Sequence, residues 1–421
     1  MYLNGSAKPS CTHIPDTMAL LKKGAIGGLS PSYFLEFIMF KSRRSPLFLL
    51  PFMLTALACE QQTKNTQTPE TSQASQPSTH SLSVTVSDEL PLPSPATGIA
   101  FWDHPTLSFN SPIIVASENG LTAYTIEDGS EAARLDAVTL STIAVSYAGY
   151  GPDAIGIVAG HNKSNNALSF VGIDNISRQF IPLAGEFETA GDVRGICFGR
   201  NPSIPEPTAF VIKPGEIQFT SIVPTQGGVT FQGDGRFETP DNIIACTVDT
   251  NGVLIALDNE GSLYRLDETG GFSAPLARTG VKDAAGLGII SSSRGEAPKV
   301  LTEGQIIVVK NNNLVVTDHR AGTPLGTVTV NVEDLPSRFM TSTLMAASAS
   351  NLGALYRNGA LGFTVITDDG PALHVVPVNN LLNELDLPAG EPINPRGALP
   401  DSDTDQLIIK TNFPAIDNDT P

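Results

Sequence analysis

Short runs of Val, Ile, Leu and Ala alternate with polar or Gly-containing turns along most of this chain, and their period is that of strands rather than helical stripes. Six hairpins can be read in this pattern. The first runs Pro112 to Ala116, turns at Ser117 to Gly120 and returns Leu121 to Ile126. The second pairs Ile155–Ala159 with Leu168–Asp174, the third Ala209–Ile212 with Ile217–Ile222, and the fourth Val253–Leu257 with Leu263–Leu266. The fifth pairs Ile306–Val309 with Leu314–Asp318, the sixth Phe363–Ile366 with Leu373–Val376. Taking Ile114, Ile157, Val211, Ile255, Ile307 and Val365 as equivalent, successive steps are 43, 54, 44, 52 and 58 residues. This is blade spacing, and a blade cannot cover both faces of its own sheet unless neighbours form a ring with it. The expected fold is all-β, a six-bladed β-propeller over residues 89–385. A long sandwich or two β-domains stay open as alternatives, although no linker-like break interrupts 90–385.

The two ends read differently. Lys41, Arg43 and Arg44 precede an apolar run from Pro46 to Ala58, which ends at Cys59. That run is too short to span a bilayer as a helix, which takes about 20 residues, but it fits a signal peptide over 39–58. Thr55-Ala56-Leu57-Ala58-Cys59 resembles a bacterial lipobox, which implies lipidation at Cys59 and a cell-envelope location. Glu60 after the cysteine implies the outer membrane in a Gram-negative host. Because such a signal works from the N-terminus, Met39 is the expected start and residues 1–38 a non-native extension. Residues 59–88 begin with a stretch of Gln, Thr, Ser and Pro that has too little apolar surface to order itself, and read as a disordered tether. Residues 386–421 read as a Pro/Gly-containing acidic segment. There Asp401, Asp403 and Asp405 alternate as in a calcium loop, but Gln406 stands where the turn glycine belongs.

Charge narrows the partners. The chain has 43 Asp+Glu against 25 Lys+Arg, and loss of residues 1–58 removes 2 of the former and 6 of the latter, leaving −22. Nucleic acid and an anionic membrane face are thereby disfavoured as partners, since both reward a basic surface. Cys197 and Cys246 match no zinc or redox spacing; buried thiols are the expectation and a disulfide the alternative.

Ala100-Phe101-Trp102-Asp103-His104-Pro105, followed by Glu118-Asn119-Gly120-Leu121-Thr122-Ala123-Tyr124, resembles the opening of the β-propeller phytases, secreted calcium-dependent hydrolases of myo-inositol hexakisphosphate. The resemblance continues in order through His161-Asn162-Lys163-Ser164, Gly191-Asp192-Val193-Arg194-Gly195, Val211 to Glu216, Asp283-Ala284-Ala285-Gly286-Leu287 and Asp368-Asp369-Gly370. It implies a ring of carboxylates holding several Ca²⁺ ions at one end of the propeller. Those positions fall here on Thr97 and Gly98, Thr142 to Ala144, Ile243 to Cys246, Ala285, and Thr343 to Ser348. Each Ca²⁺ takes 6 to 8 oxygens, so a set stripped of carboxylates holds it poorly.

What the resemblance leaves as ligand-binding candidates are Lys163, Lys213 and Arg194, and as weak metal candidates Asp192, Asp258 and Asp283. Each of these also reads as a solvated turn or strand-end residue. His104 and His161 lie in matched segments and read more simply as structural. No Gly-x-Ser-x-Gly elbow, His-Glu-x-x-His helix or phosphate-cradling glycine loop is present. Two functions follow as expectations. One is a membrane-anchored binding module for a phosphorylated or other anionic small molecule, or for an envelope protein, with no assured cofactor. The other is a working calcium-dependent 3-phytase-like phosphohydrolase.

Overall fold

Each hairpin forms because two β-branched runs flank a turn whose residues tolerate tight or left-handed backbone. The turn after the fourth run is an example: Asp258 Oδ1 accepts the Glu260 and Ser262 N–H groups at 3.0 and 2.6 Å, and Gly261 sits at φ +85°. A computed structural model describes residues 81–397 except 137, 190, 200–204, 267–270, 273, 295–300 and 333–340. The described residues lie within one compact unit, Gln76–Pro421. Cys59, the signal-like run, most of the tether and the Asp401–Asp405 stretch fall outside them.

Two short strands come first, β1 (Ser83–Thr85) and β2 (Asp88–Pro91). Then follow β3 (Ala96–Phe101), β4 (Pro112–Ser117), β5 (Gly120–Thr125) and β6 (Glu131–Leu135). Next are β7 (Ser141–Ala148), β8 (Ile155–Asn162), β9 (Ala167–Ile173) and β10 (Phe180–Glu188). The third group is β11 (Gly195–Gly199), β12 (Thr208–Lys213), β13 (Glu216–Thr225) and β14 (Gly228–Glu238). The fourth is β15 (Ile243–Val248), β16 (Leu254–Asp258), β17 (Ser262–Arg265) and β18 (Pro275–Arg278). The fifth is β19 (Gly286–Arg294), β20 (Leu301–Lys310), β21 (Asn313–Asp318) and β22 (Pro324–Asn331). Last come β23 (Thr341–Ser348), β24 (Ala360–Thr367), β25 (Gly370–Pro377), α1 (Val378–Glu384) and β26 (Glu391–Pro392). All twelve hairpin strands expected from the sequence are there, within a few residues.

The molecule is mostly β and propeller-like. Hydrogen bonding divides it into five sheets rather than six separate blades. Strands β3–β6, β15–β18, and β2 with β23–β25 form four-stranded sheets. A six-stranded sheet holds β19–β22 with β1 and β26 at its edges, and β7–β14 form one of eight strands. The merger has a local cause: β10 and β14 meet in parallel at Ala184 and Gly228, so two units that the sequence spacing separates share an edge.

The first strands of the groups, β3, β7, β11, β15, β19 and β23, neighbour one another in turn, and β23 lies beside β3. They run the same way. Thr97 at the start of β3 donates to the Leu140 carbonyl just before β7 (2.7 Å), and past the other end of β3 the Tyr147 hydroxyl donates to Asp103 (2.9 Å). The end where these strands start is called the near rim below, the other the far rim. Between the sheets lie fully buried side chains such as Ile114, Val158, Val211, Leu257, Val308 and Phe363. Trp102 is wholly buried over Gly156, where a Cβ would lie 2.2 Å from the indole nitrogen, so only glycine leaves the ring its place.

Three expectations change. Cys197 on β11 and Cys246 on β15 are not separate thiols but a disulfide, because these neighbouring strands bring their Cα atoms to 5.8 Å. Residues 81–88 are not tether: Val84 and Val86 are buried and β1 pairs with β22. The segment after 385 does not leave the fold at once, since β26 pairs with β19 and Arg396 is 2% exposed.

Candidate functional site

Four of the first strands carry a register irregularity at the near rim. It falls between Ala96 and Gly98, Ser141 and Ile143, Ile243 and Ala245, and Ser342 and Leu344. A bulge re-aims a side chain and ends regular pairing, which is how a strand end becomes a site. The residues inside the four irregularities are Thr97, Thr142, Ile244 and Thr343; the resemblance implies a carboxylate at Thr97 and Thr343, and Thr142 and Ile244 lie in segments where it implies one close by. Thr142 sits at φ +53°, a left-handed conformation uncommon for a β-branched residue.

Beside the first two bulges opens a cavity of about 430 Å³, lined by Thr97, Ser141, Thr142, His161, Lys163, Asn166, Gly191, Asp192 and Val193. Three successive units supply it: the start of β3, the start of β7 with the β8–β9 turn, and the segment before β11. Lys163 is exposed on the turn. His161 is 5% exposed, and its Nδ1 is buried without a hydrogen-bond partner among the described residues. Asn166 engages one side of the ring. With its amide nitrogen donating to the Gly191 carbonyl (3.0 Å) and to His161 Nε2 (3.2 Å), and its oxygen accepting from Gly191 N–H (3.0 Å), every partner is satisfied. Nε2 is thus the ring nitrogen that Asn166 engages, and Nδ1 the one left over. The cavity thus offers an exposed cation and hydroxyl groups against one carboxylate, with the buried His161 ring in its wall.

The other candidates lie nearby but are differently engaged. Lys213 is 5% exposed; its ammonium donates to the Thr189 carbonyl at 2.8 Å and pairs with Glu216, whose carboxyl that bond holds below its usual range. Arg194 donates to the Asp241 and Ile243 carbonyls and lies 3.8 Å from Asp192, bracing β11 against the segment before β15. Asp192 is exposed at the cavity edge. Asp258, 3% exposed, is taken up by its own turn and by Asn242 (3.3 Å) and Tyr264 (3.2 Å). Asp283 is exposed at φ +49°, its N–H donating to Asn259. Cavity lining joins Lys163 and Asp192 alone of the six.

A calcium cluster needs several carboxylate oxygens converging on one point. Among the described residues no three His, Cys, Asp or Glu side chains converge in that way, and three of the bulges carry Thr97, Thr142 and Ile244 instead of carboxylates. The residues do not fit the metal cluster that the resemblance implies, and no chemical step is routed through one.

At the far rim the first strands end around a different assembly. A central cavity of about 570 Å³ runs between them, bounded partly by Ile393, Asn394, Pro395 and Gly397. Behind these, the Arg396 guanidinium donates to the Asp103 carbonyl at 3.1 and 2.7 Å, to the Ala154 carbonyl and to Asn175 (3.3 Å). Its carbon lies 4.4 Å from the centre of the Tyr147 ring. The Asp103 carboxylate accepts from Tyr147 and Ser350. Burial raises the Asp103 carboxyl, lifts the Tyr147 phenol well above its usual range and lowers the Arg396 guanidinium. The Trp-Asp-His segment is therefore a structural keystone, and the sequence carried no sign that its partner was Arg396. No protein-family model matches the chain, and no curated protein matches it in sequence.

Proposed function

We propose that this chain is a lipid-anchored, six-bladed propeller that binds a phosphorylated or other anionic small ligand at its near rim without hydrolysing it. The cycle of six first strands supports the blade count. On this reading the eight-stranded sheet is two blades joined by one parallel bridge, and the last blade takes β2 from the N-terminal side and β23–β25 from the C-terminal side. Closing a ring with strands from both ends protects it from opening at one seam. Anchoring through Cys59, in the cell envelope, follows from the signal-like segment.

The observation that carries the ligand class is the 430 Å³ cavity, which exposed Lys163 lines together with Thr97, Ser141 and Thr142. A lysine adds a point charge with freely turning donors, which suits phosphate of any orientation. Asp192 at the edge opposes a polyanion, so affinity rests on the inner wall. Thr97 and Ala144, in place of carboxylates, remove the means to hold Ca²⁺ and to polarise an attacking water, so the bound ester is kept intact. Phosphate release from myo-inositol hexakisphosphate by the purified protein, with and without added Ca²⁺, tests this. None is expected in either condition; release that depends on Ca²⁺ would restore the enzyme.

A further inference from the structure

Five large apolar side chains stand exposed among the described residues: Leu107 (44%), Phe109 (54%), Ile176 (91%), Leu355 (60%) and Ile366 (44%). They are not spread evenly. Leu107 and Phe109 lie on the loop between β3 and β4, and Leu355 on the loop between β23 and β24, both leaving the far ends of first strands. Ile176 is in the turn after β9, a third strand that runs parallel to β7 and so also ends at the far rim. Only Ile366 is near the other rim.

The four are neighbours through their loops. A methyl group added at Gly353 would lie 3.5 Å from the Phe109 Cα, which joins the Leu355 loop to the Phe109 loop. Asn175, preceding Ile176, accepts from Arg396, which in turn grips Asp103 at the root of the Leu107 loop. Arg178 and exposed Arg357 are on the same loops as Ile176 and Leu355, and the Glu127 carboxylate lies where the Leu355 and Phe109 loops meet. Scattered exposed leucines need no explanation, but four on contiguous loops of one face do.

The chain enters the fold on this side. The Ser83 N–H donates to Glu384 of α1 at 2.9 Å, and α1 follows Pro377 at the far end of β25. From Cys59 to Leu82 the segment has enough residues to span at most roughly 75 Å. We infer that the far rim is a bilayer-docking face, which lays Leu107, Phe109, Leu355 and Ile176 into the interface of the membrane that holds Cys59. The inference rests on the lipoprotein reading. An anchored domain meets its membrane intramolecularly, so a face too weak to recruit a free protein suffices to orient a tethered one. Aromatic and aliphatic tips beside arginines suit the headgroup level, where one part of a side chain meets hydrocarbon and another phosphate.

The test uses the lipidated full chain in zwitterionic phospholipid vesicles. An environment-sensitive fluorophore is placed at Phe109→Cys, at Leu355→Cys, and at Asp368→Cys on the near rim as a comparison. Emission from 109 and 355 is expected to shift to the blue and brighten several-fold on the vesicles, with 368 unchanged. Flotation with the vesicles but no shift at 109 and 355, or the same shift at all three positions, overturns the docking face while leaving the anchor intact. Failure to float removes the anchor and, with it, this inference.

Discussion

Arg396 shows how much of this fold depends on one side chain. Its guanidinium is buried against two main-chain carbonyls and the Tyr147 ring, and it stands near a carboxyl that burial has already pushed up. Arg396→Ala leaves those acceptors unmet and Asp103 without its cation. The expected loss is about 3 kcal/mol of unfolding free energy by urea titration; an unchanged midpoint would refute the keystone role. Alkaline pH should act on the same cluster. Burial raises Tyr147 well above the usual phenol range, and burial with the Asp88 hydrogen bond raises Tyr356. A group raised by folding stabilises fully below its unfolded value, near pH 10, and loses that contribution as pH climbs toward its folded value. Phenolate absorbance of these two tyrosines should therefore appear together with unfolding above pH 10. Smooth ionisation of all seven tyrosines in a still-folded protein would contradict this.

Among the elements, the disulfide is the clearest case for a test. Cys197 and Cys246 close 49 residues of chain between two adjacent first strands. Chain entropy assigns such a loop about 4 kcal/mol. Reduction, or the paired change Cys197→Ala with Cys246→Ala, should lower the melting temperature by several degrees, and no change on reduction would show the strands need no staple. Neither the bridge nor the first strands were plain in the sequence, for related reasons. The hairpins of β4–β5 or β20–β21 announce themselves because their runs are apolar and their turns carry Gly or Asn. A first strand such as β11, Gly195–Gly199, is five residues long with glycine at each end, and its neighbours come from other blades, so no local pattern pairs Cys197 with Cys246. The site divides the same way. Lys163, Asp192 and His161 could be singled out because they sit in turns and motifs. Ser141 and Asn166 could not, since their place in the cavity comes from a bulge and a turn that only assembly brings together. Asp258 and Lys213 look like ligands in the sequence and are consumed locally in the fold. Glu391 to Gly397 looks like a tail because Pro and Gly mask a segment whose one arginine is what docks.

At the scale of the whole molecule, a formal charge of −18, or −22 without residues 1–58, repels any polyanion on approach. Binding at the near rim therefore has to be local, through Lys163, and it should fade as salt screens that short-range attraction. The most direct measurement is a calorimetric titration of myo-inositol hexakisphosphate into the protein with a calcium chelator present, repeated with Lys163→Ala and at raised salt. Saturable binding is predicted for the wild type, weakened about tenfold or more by Lys163→Ala, a loss of about 1.4 kcal/mol, and weakened again by salt. Binding that appears only when Ca²⁺ is restored, or that ignores the loss of Lys163, would contradict a calcium-free anion site on the near rim.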